Sequence, residues 1–294
     1  MTDFLAQAPE ARAVRRSHAR AAETYDTHAV LQREVAARLL ARLDLMQLAP
    51  QLILDLGAGT GDSARALEAR YPKASILLLD TVHEMLTKAR ARRRRWFSRC
   101  RYLCADAAST GLKDQSVDLI HSNLALHWCA DPDAVLAECR RVLKPRGLLI
   151  FSTVGPSTLQ ELRAAWASLD DSPHVHFFMD MHDVGDALIR AGFASPVMER
   201  DNLCVTYRDL AGLLADLRAT GAVNSHPGRH KGLRGAGQQR ALAAAYESHR
   251  RNGLLPATYE IVMGHAWIPE QGARPQDGST VATFPFHKLG VRKA

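Results

Sequence analysis

Residues 52 to 80, LILDLGAGTGDSARALEARYPKASILLLD, set two carboxylates and three alternating glycines where they can serve one ligand. Asp55 stands just before the glycine run, and Asp80 closes the next apolar stretch. Gly57, Gly59 and Gly61, with Ala58 between the first two, let a ligand approach the backbone because no bulky side chain intervenes. A carboxylate at the carboxyl end of the second strand of a doubly wound sheet lies beside the ligand crevice and accepts hydrogen bonds from both hydroxyls of a ribose. Asp80 is therefore the candidate to hold a nucleoside sugar. Two carboxylates at strand ends around one glycine loop are costly unless something binds them, which separates this pair from a purely structural turn.

The spacing narrows the nucleoside. A dinucleotide fingerprint is G-x-G-x-x-G, with a helix N-terminus aimed at a pyrophosphate. Here the glycines alternate and position 62 is Asp, whose charge repels phosphate. Asp55 adds a second carboxylate that suits an ammonium group, and S-adenosylmethionine carries an ammonium and a sulfonium. DLGAGTG resembles motif one of the class I S-adenosylmethionine-dependent methyltransferases, and the resemblance extends over residues 50 to 155. It implies a cofactor site running from Asp55, Gly57, Ala58, Gly59 and Gly61 through Asp80, Thr81 and Met85 to Asp106, Ala107, Asn123 and Leu124. In that family an apolar side chain at the position of Met85 packs on the adenine, the position of Asp106 and Ala107 meets its amino group, and HSNLALHW (121 to 128) lies beside the methyl group. Plainer readings stand beside these: Met85 as a core residue of its helix, Asp106 and Asn123 as turn caps.

Such residues need a scaffold. Strand patterns at 51 to 56, 75 to 80, 100 to 105, 116 to 123 and 147 to 154 alternate with helical stretches near 61 to 70, 83 to 95 and 131 to 143, which predicts a parallel sheet with helices on both faces. In LKPRGLLIFS a helix is stopped by Pro145, a turn follows at Gly147, and a buried strand begins. Residues 156 to 192 read as helical with a break at DDSPHVHFF, and 194 to 207 as strand. Helical pieces near 208 to 219 and 236 to 251 flank the loop GAVNSHPGRHKGLRGAG, and 257 to 269 alternates as a last strand of the same sheet. A leading helix over 29 to 46 sets Leu31, Val35, Leu39, Leu43 and Met46 at helical spacing. The expected organisation is one α/β domain over 1 to 270, a doubly wound, seven-stranded, Rossmann-like class I methyltransferase sheet. Residues 1 to 48 form an N-terminal helical lid, 50 to 155 the cofactor core, 208 to 255 a helical insertion before the last strand, and 271 to 294 a tail.

Outside the cofactor core, HARAAETYDTHAVLQREVAARLL, the run from SNLALHW to ELRAAW, SPHVHFFMDMHDVGDALIRAGFASPVM and LPATYEIVMGHAW are similar to the malonyl-acyl-carrier-protein O-methyltransferases of biotin synthesis, from about residue 14 to 270. Arg146, where many methyltransferases have glycine, and the long basic loop 222 to 237 depart from the pattern. The resemblance implies methyl transfer to the free carboxyl of a malonyl thioester. A malonyl carboxylate is already ionised at neutral pH, so orientation and exclusion of water carry the catalysis. Tyr25, in the lid, is the candidate to close over the methyl group and hydrogen-bond the carboxylate; the alternative is a core tyrosine. His127 is the candidate to orient the carboxylate, against a structural histidine. Trp128, Phe177 and Phe178 are the expected substrate-binding side chains. His174 and His176 would share a strand face and suggest a metal, yet methyl transfer to oxygen needs none, and none is expected.

The composition bounds the rest. A chain of 294 residues with 47% hydrophobic residues can bury a sizeable core. Five scattered cysteines argue against a disulfide framework, and no segment reaches the roughly 20 apolar residues of a membrane span. A cytoplasmic protein without a membrane partner is expected. The formal charge of +7 favours acidic partners, here an acidic acyl-carrier protein carrying malonyl, or malonyl-coenzyme A. Docking candidates are Arg93, Arg94 and Arg95, or Arg229, Lys231 and Arg234. The run KARARRRRW can contact phosphates, but it lies at a helix C-terminus, where cations are favoured anyway, and no nucleic acid is expected. Two other classes share the cofactor half: a methyltransferase of another carboxylate or small molecule, and an assembly factor that keeps the cofactor fold.

Overall fold

The computed structural model describes residues 8–92, 99–229, 232 and 235–270. Arg93, Arg94, Arg95, Lys231, Arg234 and the tail 271–294 lie outside the described residues.

Alternation of apolar residues builds the sheet. In β1 (Leu52–Leu56), Ile53 joins the core on one face while Leu54 and Leu56 join the core on the other, the two-residue period of a strand covered on both sides. β2 (Ser75–Asp80), β3 (Cys100–Cys104), β4 (Val117–Asn123) and β5 (Leu143–Val154) extend it in parallel. β6 (Ala194–Tyr207) and β7 (Leu255–Trp267) complete seven strands in the order β3-β2-β1-β4-β5-β7-β6. β7 runs antiparallel to both neighbours, so the sheet is mixed. β1 lies between β2 and β4, where the strand order reverses, and such a switch point opens a crevice beyond the carboxyl ends of the strands.

Helices cover both faces. The leading helices are α1 (Ala11–Ala21), α2 (Tyr25–His28) and α3 (Val30–Arg42). Val35 and Leu39 of α3 and Leu43 just beyond it are fully buried with Ala64 and Leu67 of α4 (Asp62–Arg70) and Leu86 of α5 (His83–Ala91). On the other face, α6 (Pro132–Val142) and α8 (Met181–Arg190) contribute Val135, Leu136, Val184 and Leu188. The start of α6 is set by Asp131, whose side chain accepts the Ala134 amide, and by Pro132 in the first turn. A third core joins α7 (Gln160–Ala167), α9 (Leu210–Ala219) and α10 (Ala236–Glu247) to the start of β7 through Leu162, Trp166, Leu213, Leu242 and Tyr246.

Three local expectations change. Helix α6 ends at Val142 and the chain enters β5 at Leu143, before Pro145. Arg146 holds a left-handed backbone, φ 62°, with its amide donating to Ile268 O at 3.0 Å, so a non-glycine residue bears the strain at this turn. Residues 168–180 form no strand, so His174 and His176 share no strand face. Among the described residues no helix is long and apolar enough to cross a membrane.

Candidate active site

A cavity of about 280 Å³ opens at the carboxyl ends of β1, β2 and β4. The loop after β1 folds back as the amides of Gly57 and Ala58 both donate to Leu79 O, at 2.8 and 3.0 Å. Gly57 has φ 70°, and a Cβ there would lie 2.3 Å from the Cβ of Ala125, so the position admits only glycine. At Gly59 a Cβ would meet no protein atom within 4 Å; that bare stretch of backbone is open to a ligand. The Gly59 amide donates to Asp80 Oδ2 at 2.9 Å and the Val82 amide to Oδ1 at 2.8 Å. Each oxygen keeps a further lone pair, which suits the two hydroxyls of a ribose. Burial pushes the Asp80 carboxyl above its usual range, against the lowering effect of the two amides.

Thr81, Met85, Asp106, Ala107, Asn123 and Leu124 also line this cavity. Met85 packs with Ala22 and Val82 as well, so its core and ligand-facing readings coexist. Asp106 Oδ1 accepts the Ala108 amide at 2.9 Å, the expected turn, while the residue still faces the cavity. Asn123 is held at both ends, donating to Gln32 O at 2.9 Å and accepting from Ser152 Oγ at 2.8 Å. Leu124 is left-handed, φ 51°, with its amide anchored on Ser152 O and Oγ.

Asp55 and Ala58 face an annex of about 40 Å³ between the glycine loop and α3, together with Gln32 and Arg33. Asp55 is buried, its Oδ1 accepting from His121 Nδ1 at 2.9 Å, and its Oδ2 has no partner among the described residues. An orphaned buried carboxylate oxygen beside the glycine loop fits an ammonium group. Gly61 lines neither space; a Cβ there would stand 3.0 Å from Leu78 and 3.1 Å from Ala89, so it serves the approach of α4 to the sheet.

A second cavity, about 250 Å³, meets the first at His18, Tyr25, Leu124 and Trp128. Its walls include His127, Trp166, His174, His176, Phe178 and residues of α9 and α10. Phe178 is 6% exposed and lines it, whereas Phe177 is 44% exposed and does not; the sequence expectation for Phe177 is corrected. Trp128 is the hub, with the rings of His127, His18 and His176 at 4.9, 5.0 and 5.4 Å from its own.

A family profile described as a methyltransferase domain matches residues 54–151. Two curated relatives called malonyl-acyl-carrier-protein O-methyltransferase align over nearly everything: one from Methylovorus sp. (strain MP688) is 49% identical over 92% of this chain and 93% of its own. The other, from Laribacter hongkongensis (strain HLHK9), is 49% identical over 93% of this chain and 95% of its own. The chain belongs to the malonyl-acyl-carrier-protein O-methyltransferase family. Solved structures share the fold at lower identity. The YcgJ protein of Bacillus subtilis is 17% identical with a TM-score of 0.57 over 79% of this chain and 98% of that one. A phosphoethanolamine N-methyltransferase of Haemonchus contortus in complex with S-adenosyl-L-methionine is 18% identical with a TM-score of 0.51, over 80% of this chain and 52% of that one.

In this O-methyltransferase the imidazoles of His127 and His176 in the second cavity carry no charge. Burial holds the His127 imidazole down to about 3 and His176 to about 4, so both are neutral at physiological pH. The Ser225 amide donates to His176 Nε2 at 3.0 Å, which leaves the proton on Nδ1. Nδ1 of His176 has no partner among the described residues, a buried donor in the cavity wall. Tyr25 is held protonated, its phenol pushed up by burial and by the carboxylates of Asp80, Asp26 and Asp62. His174 bonds Asp170 at 2.6 Å and stacks on Trp166, and among the described residues no group of three or more potential metal ligands occurs.

The N-terminal helices, the expected lid, are tied on two sides. Asp26 accepts from Thr60 at 2.6 Å and from Arg92 at 3.0 Å, and Lys88 pairs with Glu23, so α2 sits on the glycine loop and α5. Thr24 donates to Ala219 O at 2.9 Å, His28 to Asp216 at 2.6 Å, and Arg229 to Glu10 at 2.8 Å, so the same lid sits on the insertion. Arg229 is thereby a structural tie, 15% exposed, and not an available docking cation. His18 is absent from the sequence-derived candidates, although Ala11, Val14 and His18 recur at helical spacing on one face of α1.

Proposed function

We propose that the protein methylates the free carboxyl of a malonyl group carried on an acyl-carrier protein, with S-adenosylmethionine as donor, as an early step of biotin synthesis in the cytoplasm. The observation that carries this reading is the meeting of two cavities at Tyr25, His18, Leu124 and Trp128 in a chain that aligns over more than nine-tenths of its length with relatives of that name. Bound S-adenosylmethionine supplies a methyl group activated on a sulfonium.

The residues act by position. Asp80 and the Gly59 backbone hold the nucleoside, and Asp55 with Arg33 in the annex suits an amino-acid end bearing both charges. The acceptor carboxylate is ionised without help, so Tyr25, protonated and at the junction, donates to it and aims one oxygen at the methyl group. The neutral imidazoles of His127 and His176 add donors without the strong ion pair that would blunt a carboxylate nucleophile. The closed lid excludes water. An assembly-factor role gains no support, since both cavities are formed and the named relatives are enzymes.

The test is direct. Purified protein is incubated with isotopically labelled S-adenosylmethionine and malonyl-carrier protein, malonyl-coenzyme A or nucleic acid, and the product is identified by mass. Label in a malonyl methyl ester is expected; label in another acceptor, or in none, overturns the reading.

A further inference from the structure

The insertion between β6 and β7 is both the outer wall of the acceptor cavity and a basic segment. Residues 208 to 255 hold eight arginines and lysines against three carboxylates, a net of +5 within a chain of +7. Those three carboxylates are already engaged: Asp209 caps α9 through the Gly212 amide, Asp216 bonds His28, and Glu247 pairs with Arg250. Asp170, which approaches α10 through Gln238, is occupied by His174. Arg218, near the end of α9, lines the cavity and is exposed; Gln239 of α10 does the same, and the exposed Arg240 follows it. No ion pair involves Arg218 or Arg240 among the described residues. By contrast, Lys88 and Arg92, at the start of the arginine run, are spent on the lid residues Glu23 and Asp26.

We propose that the α9–α10 mouth of the acceptor cavity, marked by Arg218, Gln239 and Arg240, is where an acidic carrier protein docks and feeds its thioester arm inward, with Arg218 receiving the arm's phosphate. This rests on the malonyl-carrier reading above. The cavity itself offers a thioester apolar walls, Leu214, Leu217 and Leu242, and the side-chain amide of Gln239 as a polar partner for an amide-bearing arm. An arginine at the rim matches a phosphodiester, which an arginine fork binds well. Uncompensated charge around the mouth steers an acidic partner in and loses effect as salt rises.

The experiment compares wild type with Arg218→Glu, Arg240→Glu and the double variant on malonyl-carrier protein and on malonyl-N-acetylcysteamine, which has neither phosphate nor protein. Binding of the holo-carrier protein is followed separately by fluorescence anisotropy. The double variant should lose at least tenfold in kcat/KM for malonyl-carrier protein at low salt, and this loss should exceed its loss on the short thioester by at least fivefold. Carrier affinity should fall in parallel, and about 0.3 M salt should narrow the difference. Arg240→Glu alone should weaken carrier binding while leaving the short thioester within about twofold. Retention of wild-type carrier affinity and kcat/KM by the folded double variant places the dock elsewhere and overturns the inference. If wild type methylates neither malonyl thioester, the underlying functional reading fails instead, and this inference with it.

Discussion

The Gly59 amide and Asp80 Oδ2 meet at 2.9 Å, joining the loop after β1 to the end of β2 in one hydrogen-bonded unit. Removing the carboxylate removes both the proposed ligand contact and part of the loop's anchor. Asp80→Ala should weaken S-adenosylmethionine binding by about 1–3 kcal/mol, the scale of hydrogen bonds to a charged acceptor. Titration calorimetry on the folded variant measures it; an unchanged Kd takes Asp80 out of the ribose site.

The two glycines flanking Ala58 should separate folding from binding. Gly57→Ala meets Ala125 and a left-handed backbone together, a loss on the order of 2–4 kcal/mol in unfolding stability. Gly59→Ala meets open space and pays only the backbone cost, roughly 1–2 kcal/mol, yet it adds a methyl group at the lining of the proposed cofactor cavity. Denaturant melts and cofactor titration of the pair read this out; equal stability losses would contradict the difference in packing.

Tyr25→Phe keeps the ring and deletes the donor. Turnover should fall by about tenfold or more, the scale of 1.4 kcal/mol, while the cofactor Kd stays within about twofold. Single-turnover assays decide it, and wild-type turnover removes Tyr25 from the catalytic group.

His127 and His176 titrate far below an ordinary histidine in the fold, at about 3 and about 4. In the unfolded chain they protonate near 6.5. Their contribution to stability is therefore complete above about pH 6.5 and is lost as pH falls toward the folded values. Denaturation midpoints should drop on acidification below about pH 6.5, and the slope should flatten in His127→Gln and His176→Asn. An unchanged slope in both means other groups carry the acid sensitivity.

Arg146 bears a positive φ while its side chain is largely in water and pairs with Glu270 at 3.2 Å, a surface contact of little worth. Arg146→Gly should stabilise by roughly 0.5–1 kcal/mol, the relief of backbone strain partly offset by glycine's freedom in the unfolded chain. A thermal melt that falls below wild type contradicts this.

What could be read from sequence follows the range of the physical signal. Strand β6 matches its sequence range of 194 to 207, because strand-forming residue types are a local property of the chain. The same holds for the strand ends carrying Asp55 and Asp80. The antiparallel direction of β7 has no local signature; it follows from where α9 and α10 return the chain. Phe177 and Phe178 illustrate the limit within two residues: in an irregular segment no period says which ring turns inward. The partner of Asp55, His121, lies 66 positions away and meets it only through strand register. His18 escaped because it sits in a basic helix, ARAVRRSHARA, whose charge hides a one-sided apolar stripe.

The four-residue helix α2 carries a hydrogen bond to the glycine loop at one side and to the insertion at the other. Any displacement of α2 therefore breaks a tie to the glycine loop and a tie to the insertion together, so the walls of the two cavities share one support.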